Sequence, residues 1–236
     1  MQNLTLLALD TSTEACSVAL LYRGEKTHIN ELAQRTHTKR ILPMIDEILA
    51  NSGLRLNEVD ALAFGRGPGS FTGVRVGAGI AQGLAFGADL PVIPISNLTA
   101  MAQAAFELHQ AENVVAAIDA RMNEVYFSQL VREKVRSDVG EFFQWREIIT
   151  EQVCSPEQAI KQLRDDNAFR VGTGWVAYSQ FTEKNLTSSD IVLPNALYML
   201  ELARVEYLQK RTISALEIEP IYLRNEVTWK KLPGRE

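Results

Sequence analysis

Residues 6–21 read LLALDTSTEACSVALL, and residues 115–130 read VAAIDARMNEVYFSQL. Set with Asp10 over Asp119, the two stretches follow one plan. A run that is apolar on both faces, as in a strand covered by helices on each side, ends in a single aspartate. A polar turn follows, and an amphipathic strand returns. We read this as an internal duplication of a strand–turn–strand unit. Two copies, each followed by mixed strands and helices, predict an α/β protein of two lobes facing across a cleft, with the boundary near residues 108–112. The N-terminal lobe is then 1–110 and the C-terminal lobe 111–236.

Working outward from the first hairpin, Gly24 turns the chain into a third strand, EKTHINEL. Ile41, Leu42, Ile45, Ile48 and Leu49 carry the helical i, i+4, i+7 spacing over 38–52. Pro43 lies early in that span and predicts a kink or a late start. VDALAF (59–64) reads as a strand, a helix is expected from about Ser70 to Gly87, and PVIPI is a short strand. Ser96 is a helix cap for a segment running to about 109. After the second hairpin come strand-like residues near 142–149. Ser155-Pro156-Glu157-Gln158 is a helix start with a capping box and proline at the first position. FRVGTGW is a strand ending in glycines, a last helix spans about 195–210, and the tail PIYLRNEVTWKKLPGRE is less regular.

The chain has 236 residues and a net charge of −5. That balance argues against a broad phosphate-binding surface, because nucleic-acid affinity rests mainly on clustered Lys and Arg. Cys16 and Cys154 are too far apart in sequence to suggest a disulfide framework. The start MQNLTLLALD has no basic region and an acid at residue 10, unlike a signal peptide. No apolar run reaches membrane-spanning length, so a cytoplasmic protein is expected, with no membrane partner.

Gly65-Arg66-Gly67-Pro68-Gly69-Ser70-Phe71-Thr72-Gly73-Val74-Arg75 is the most distinctive stretch. A Gly-rich turn between strand and helix can hold an anion on its backbone N–H groups. It can equally be a tight turn with Ser70 as N-cap. A P-loop is excluded, since no Lys follows the last Gly. The helix that follows contains Gly73, Gly77, Gly79, Gly83 and Gly87. Each interior Gly costs about 1 kcal/mol relative to Ala, so tertiary contact must offset the loss. That contact is either the protein's own core or a partner that packs on the helix.

Asp10 and Asp119 fall where the lobes would meet. A carboxylate there could hold magnesium on a nucleotide phosphate, with Thr11, Ser12, Arg121 and Gly172 as neighbours, and Gly172-Thr173-Gly174 is a weak candidate for an adenosine-contacting loop. Against this, DTSTE has no Gly to let phosphate approach, and both aspartates can simply cap their own turns. The histidines, His28, His37 and His109, are not spaced to share a helix face for a metal. No G-x-S-x-G elbow or Cys–His signature is present. No catalytic residues and no metal ligands are therefore assigned. Arg224, Lys230, Lys231 and Arg235 form a small basic cluster near the end, either a solvated surface or a contact for an acidic partner.

ALDTSTEACSVAL, GRGPGSFTGVRVG, AIDARMNEVYF and PIYLR, in this order and at these separations, closely resemble the bacterial TsaB (YeaZ) family over nearly the whole chain. The resemblance implies the actin-like ATPase (ASKHA) fold. It implies a non-catalytic scaffold or activator, not itself an enzyme, that pairs with its paralogue TsaD and with the ATPase TsaE. The complex makes threonylcarbamoyladenosine beside the anticodon of tRNAs. TsaD would hold the metal and perform the transfer, and tRNA would be met only indirectly. A homodimer is implied for the isolated chain. No cofactor is expected to bind tightly, with ATP or ADP possible only in the complex. The family's partner helices map to about 38–52 and 70–87, where Ile41, Ile45, Ile48, Gly73, Val76, Gly77 and Ile80 are the implied interface residues. A stand-alone ATP-binding actin-like enzyme using Asp10 and Asp119 is the alternative, and a peptidase is disfavoured.

Overall fold

The computed structural model describes residues 4–32, 37–138, 140–165 and 167–224, without the side chains of His37 and Thr38. Lys230, Lys231 and Arg235 lie outside the described residues. The N-terminal hairpin is β1 (Leu6–Asp10) and β2 (Ala15–Tyr22), continued by β3 (Glu25–Leu32). Then come α1 (His37–Asn51), β4 (Ala61–Gly67), α2 (Phe71–Ala88), β5 (Val92–Ser96) and α3 (Asn97–His109). The second hairpin is β6 (Asn113–Arg121) and β7 (Glu124–Ser137), followed by β8 (Gly140–Cys154), α4 (Pro156–Gln162), β9 (Phe169–Val171), the short helices α5 (Gly174–Ala177) and α6 (Ser179–Thr182), and α7 (Ala196–Leu208).

The strands form a 5-stranded sheet, order β3-β2-β1-β4-β5, and a 4-stranded sheet, order β8-β7-β6-β9. The duplication read from the two hairpins is therefore built into the topology. In each sheet an antiparallel hairpin extends to a third antiparallel strand on one side, and the first strand of the hairpin takes a parallel neighbour on the other. Asp10 pairs with Ser17 in one hairpin and Asp119 with Val125 in the other. β1 is buried along its whole length, as its two apolar faces require.

Each face of each sheet has its own core. Beneath α1 and α2, Leu7, Leu9, Val18, Leu20 and Phe64 meet Ile41, Met44, Ile45, Ala78 and Ala81. On the opposite face, Leu6, Ala8, Ala63 and Ile93 meet α7 through Met199, Leu200 and Ala203. The second sheet packs on α3 through Ala116, Ile118 and Leu130, and its other face on α4, α5 and α6 around Trp175 and Phe181. The chain beyond residue 110 thus does not stay with the second sheet. The helix α7 crosses back onto the first, where the backbone N–H of Ala196 donates to Ser17 Oγ at 2.9 Å.

The capping signals act as read. Ser70, Ser96 and Ser155 accept from the backbone N–H of Gly73, Thr99 and Gln158. The predicted late start of α1 is not seen. The helix begins at His37, ahead of Pro43, and includes the proline, which is exposed. β8 is longer than the strand-like run near 142–149, because it pairs with β7 nearly end to end.

Candidate functional site

A cleft of about 980 Å³ lies between the lobes, lined by the first turn at Ser12, by Ser70 and Arg75 at the start of α2, and by Asp119 and Arg121 of the second turn. Asp10 and Thr11 stand behind it. Asp10 and Ser12 are both fully enclosed (0% exposed), with Ser12 in the cleft wall. Ser12 Oγ donates to Asp10 Oδ2 at 3.0 Å, and Asn97 Nδ2 donates to Asp10 Oδ1 at 3.2 Å and closely approaches Ser12 Oγ. Burial pushes the Asp10 carboxyl up to about 6, against the opposing effect of the Ser12 and Asn97 hydrogen bonds. This carboxylate sits so tightly that a Cβ on Gly65 would lie 2.0 Å from its Oδ1. Geometry of this kind joins β1, β4 and α3; it does not present a free carboxylate to a ligand.

Asp119 caps its own turn. Its Oδ1 accepts the backbone N–H of Arg121 at 2.8 Å and the Tyr178 hydroxyl at 2.7 Å, and its Oδ2 pairs with Arg121 Nη1 at 3.0 Å. Tyr178 is held up to about 12, chiefly by burial and then by this hydrogen bond. The turn itself is unusual. Arg121, Met122 and Asn123 are all left-handed, with φ of 62, 56 and 60°, a conformation that costs non-glycine residues roughly 1–2 kcal/mol each. Gly172, at φ 108°, packs on β6: an added Cβ would lie 2.1 Å from the Ala117 carbonyl oxygen. Its glycine serves this close approach, and Thr173 beside it lines the cleft while its Oγ1 accepts the Asp119 N–H at 3.1 Å.

The glycines of α2 divide into two sets. A Cβ on Gly73 would lie 2.1 Å from the Thr11 carbonyl oxygen, and one on Gly77 would lie 2.9 Å from Thr11 Oγ1. These two let the first turn rest on the helix, where Thr11 Oγ1 donates to the Gly73 carbonyl at 2.7 Å. Gly79, Gly83 and Gly87 have nothing within 4 Å. They lie one turn apart on the outer side, next to the exposed ring of Phe86.

Several residues implied for the partner interface need correction. Ile41, Ile45 and Ile48 are 0, 4 and 3% exposed and belong to the lobe's own core, and Gly73 and Gly77 face the first turn. The i, i+4, i+7 spacing that marks α1 is the core-facing stripe of an amphipathic helix. Val76 and Ile80 are half-buried and keep part of their surface.

Sequence reasoning missed Asn97, which follows the Ser96 cap and reaches Asp10 across 87 residues, and Glu151, which ties the lobes together. Glu151 Oε2 pairs with Arg66 Nη2 at 2.9 Å, and its Oε1 accepts from Ser96 Oγ. Arg66 stood inside the Gly-rich motif, but nothing in the sequence signals its partner. Among the described residues no three His, Cys, Asp or Glu side chains come together as a metal site would require. His28 is exposed and His109 meets Asp190. Cys16 and Cys154 are free and buried, their thiols pushed up to about 11 by burial. Among the described residues no helix is long and apolar enough to cross a membrane.

Two sheets of matching order, each opening on a hairpin whose aspartate leads into a turn that lines the common cleft, define a protein of the actin-like ATPase class. A family model described as TsaD, tRNA N6-adenosine threonylcarbamoyltransferase, matches residues 28–223. The tRNA threonylcarbamoyladenosine biosynthesis protein TsaB of Haemophilus influenzae is 94% identical over 100% of both chains. Its Escherichia coli counterpart is 46% identical over 98% of this chain and 99% of its own. The solved structure of YeaZ from Pseudomonas aeruginosa, 40% identical, covers 93% of this chain and 100% of its own with a TM-score of 0.79. The chain belongs to the TsaB (YeaZ) family of tRNA threonylcarbamoyladenosine biosynthesis proteins.

Proposed function

We propose that this chain serves tRNA threonylcarbamoyladenosine synthesis as a non-catalytic scaffold and activator of a TsaD-type transferase, in a complex that also includes TsaE. The observation that carries this reading is the division of α2. Gly79, Gly83 and Gly87 gain nothing from the fold they sit in, since no atom lies within 4 Å of where their Cβ atoms would be. Three helix-weakening residues aligned one turn apart, beside the 70% exposed Phe86, suit the close approach of another helix. The similarity of residues 28–223 to the TsaD model supports a paralogous partner, since two related lobes can meet through equivalent helices. Alone, the chain would use the same face to form a homodimer. The enclosure of Asp10 supports the non-catalytic role, and nucleotide would then bind, if anywhere, only in the complex.

Mixing the purified chain with TsaD and TsaE and measuring threonylcarbamoyladenosine formation on tRNA tests the reading. Activity is expected to need this chain, and Asp10→Asn is expected to retain it. A transferase equally active without the chain would sink the proposal. Calorimetric titration of the isolated chain with ATP and magnesium tests the alternative of a stand-alone ATP-binding enzyme, which requires tight binding and turnover.

A further inference from the structure

The segment Pro220–Arg224 runs across the mouth of the cleft from one lobe to the other. On the N-terminal side the backbone N–H of Ile221 donates to the Arg66 carbonyl at 3.4 Å, and Tyr222 stacks on the Arg75 guanidinium at 4.7 Å from its ring centre. The same guanidinium lies 3.3 Å from the ring centre of Phe71. On the C-terminal side, Arg224 Nη2 donates to the Ala120 carbonyl at 3.0 Å and pairs with Glu124, while Nη1 approaches Met122 Sδ at 3.5 Å. Arg224 thus grips both ends of the left-handed turn at 121–123.

In a two-lobed fold, whatever bonds to both sides of the cleft fixes the angle between them. Here a piece of the chain itself makes those bonds. We infer that Pro220–Arg224 is an intramolecular clasp that bonds to both lobes and holds them at a set angle. The polar ends of the clasp suit this task. Its anchor on the first lobe is a backbone bond and a stacked cation, which survive changes of the cleft's contents. Its anchor on the second is a charge-assisted bond to a carbonyl and a carboxylate, which holds only at one separation. The clasp goes beyond the helper reading and does not depend on it, since it concerns the isolated chain.

The test is an interlobe distance. Spin labels on Glu47→Cys in α1 and Lys161→Cys in α4, both exposed positions, report the separation of the lobes in the full-length chain, and Cys16 and Cys154 are buried away from the label. A single narrow distribution is expected, unchanged by adding ATP and magnesium. Arg224→Ala and, from the opposite side, Glu124→Gln should each broaden it, and hydrogen exchange across 118–124 should quicken ~10-fold while β1 stays protected. Arg224→Lys should fall between. Narrow distributions and unchanged exchange in both Arg224→Ala and Glu124→Gln would overturn the inference. So would a parent distribution that is broad and narrows only when nucleotide is added.

Discussion

A Cβ on Gly73 would stand 2.1 Å from the carbonyl oxygen of Thr11. The nearest atom is backbone, held in turn by the Thr11 hydroxyl bond to the Gly73 carbonyl, so neither side can give way cheaply. Gly73→Ala should destabilise the fold by about 2–3 kcal/mol, as overpacking of a fixed contact does. Gly79→Ala and Gly83→Ala, in open space, should do the opposite and stabilise the isolated chain by roughly 0.5–1 kcal/mol each through helix propensity. Urea unfolding of the three variants checks both signs together.

The outer glycines also carry the proposed association. Gly83→Leu should leave the melting temperature of the isolated chain near the parent's and abolish a TsaD complex on size exclusion. Because Gly77 faces the first turn, Gly77→Ala should lower stability without acting on the partner directly. A complex that withstands Gly83→Leu would move the interface away from this side of α2.

Burial raises Asp10 from its ordinary value of 3.8 to about 6. Between these two values the folded protein binds more protons than the unfolded chain, so stability falls as pH rises from about 4 to about 6 and the loss is complete above that. The full effect is at most about 3 kcal/mol. Asp10→Asn should therefore be comparable to the parent near pH 4 and more stable than it at pH 7, with the difference growing across that window. Unfolding curves at a series of pH values would show it, and a constant difference from pH 4 to pH 7 would refute the assignment.

Glu151 is 8% exposed and faces Arg66, itself only 19% exposed. Removing the acid leaves a cation largely out of water, which costs about 3 kcal/mol. Glu151→Ala should lower the urea midpoint accordingly. The loss should persist in high salt, because a pair this enclosed is little screened.

Much of this architecture can be read from the chain because it depends on local pattern. The paired hairpins ending in Asp10 and Asp119, and the serine caps at 70, 96 and 155, involve residues close together in sequence. What the pattern could not supply is direction. The glycines of α2 are equivalent in sequence, and only the position of the Thr11-Ser12 turn, brought in by β1, decides that 73 and 77 look inward while 79, 83 and 87 look out. Ile41, Ile45 and Ile48 carried their own answer, since a stripe at that spacing is what a helix buries in its own core. Their assignment to a partner came from the family and passed over that simpler signal. Asn97 and Glu151 reach Asp10 and Arg66 across 87 and 85 residues, and no local rule joins such pairs.

Ser17 receives a hydrogen bond from Ala196, 179 residues later. One face of the first sheet therefore stays uncovered until α7 is available. During synthesis, Leu6, Ala8, Ala63 and Ile93 emerge from the ribosome early and must wait for Met199, Leu200 and Ala203. A nascent chain of this topology keeps that apolar face of its sheet open until the stretch that closes it, about a hundred residues after β5, has been made.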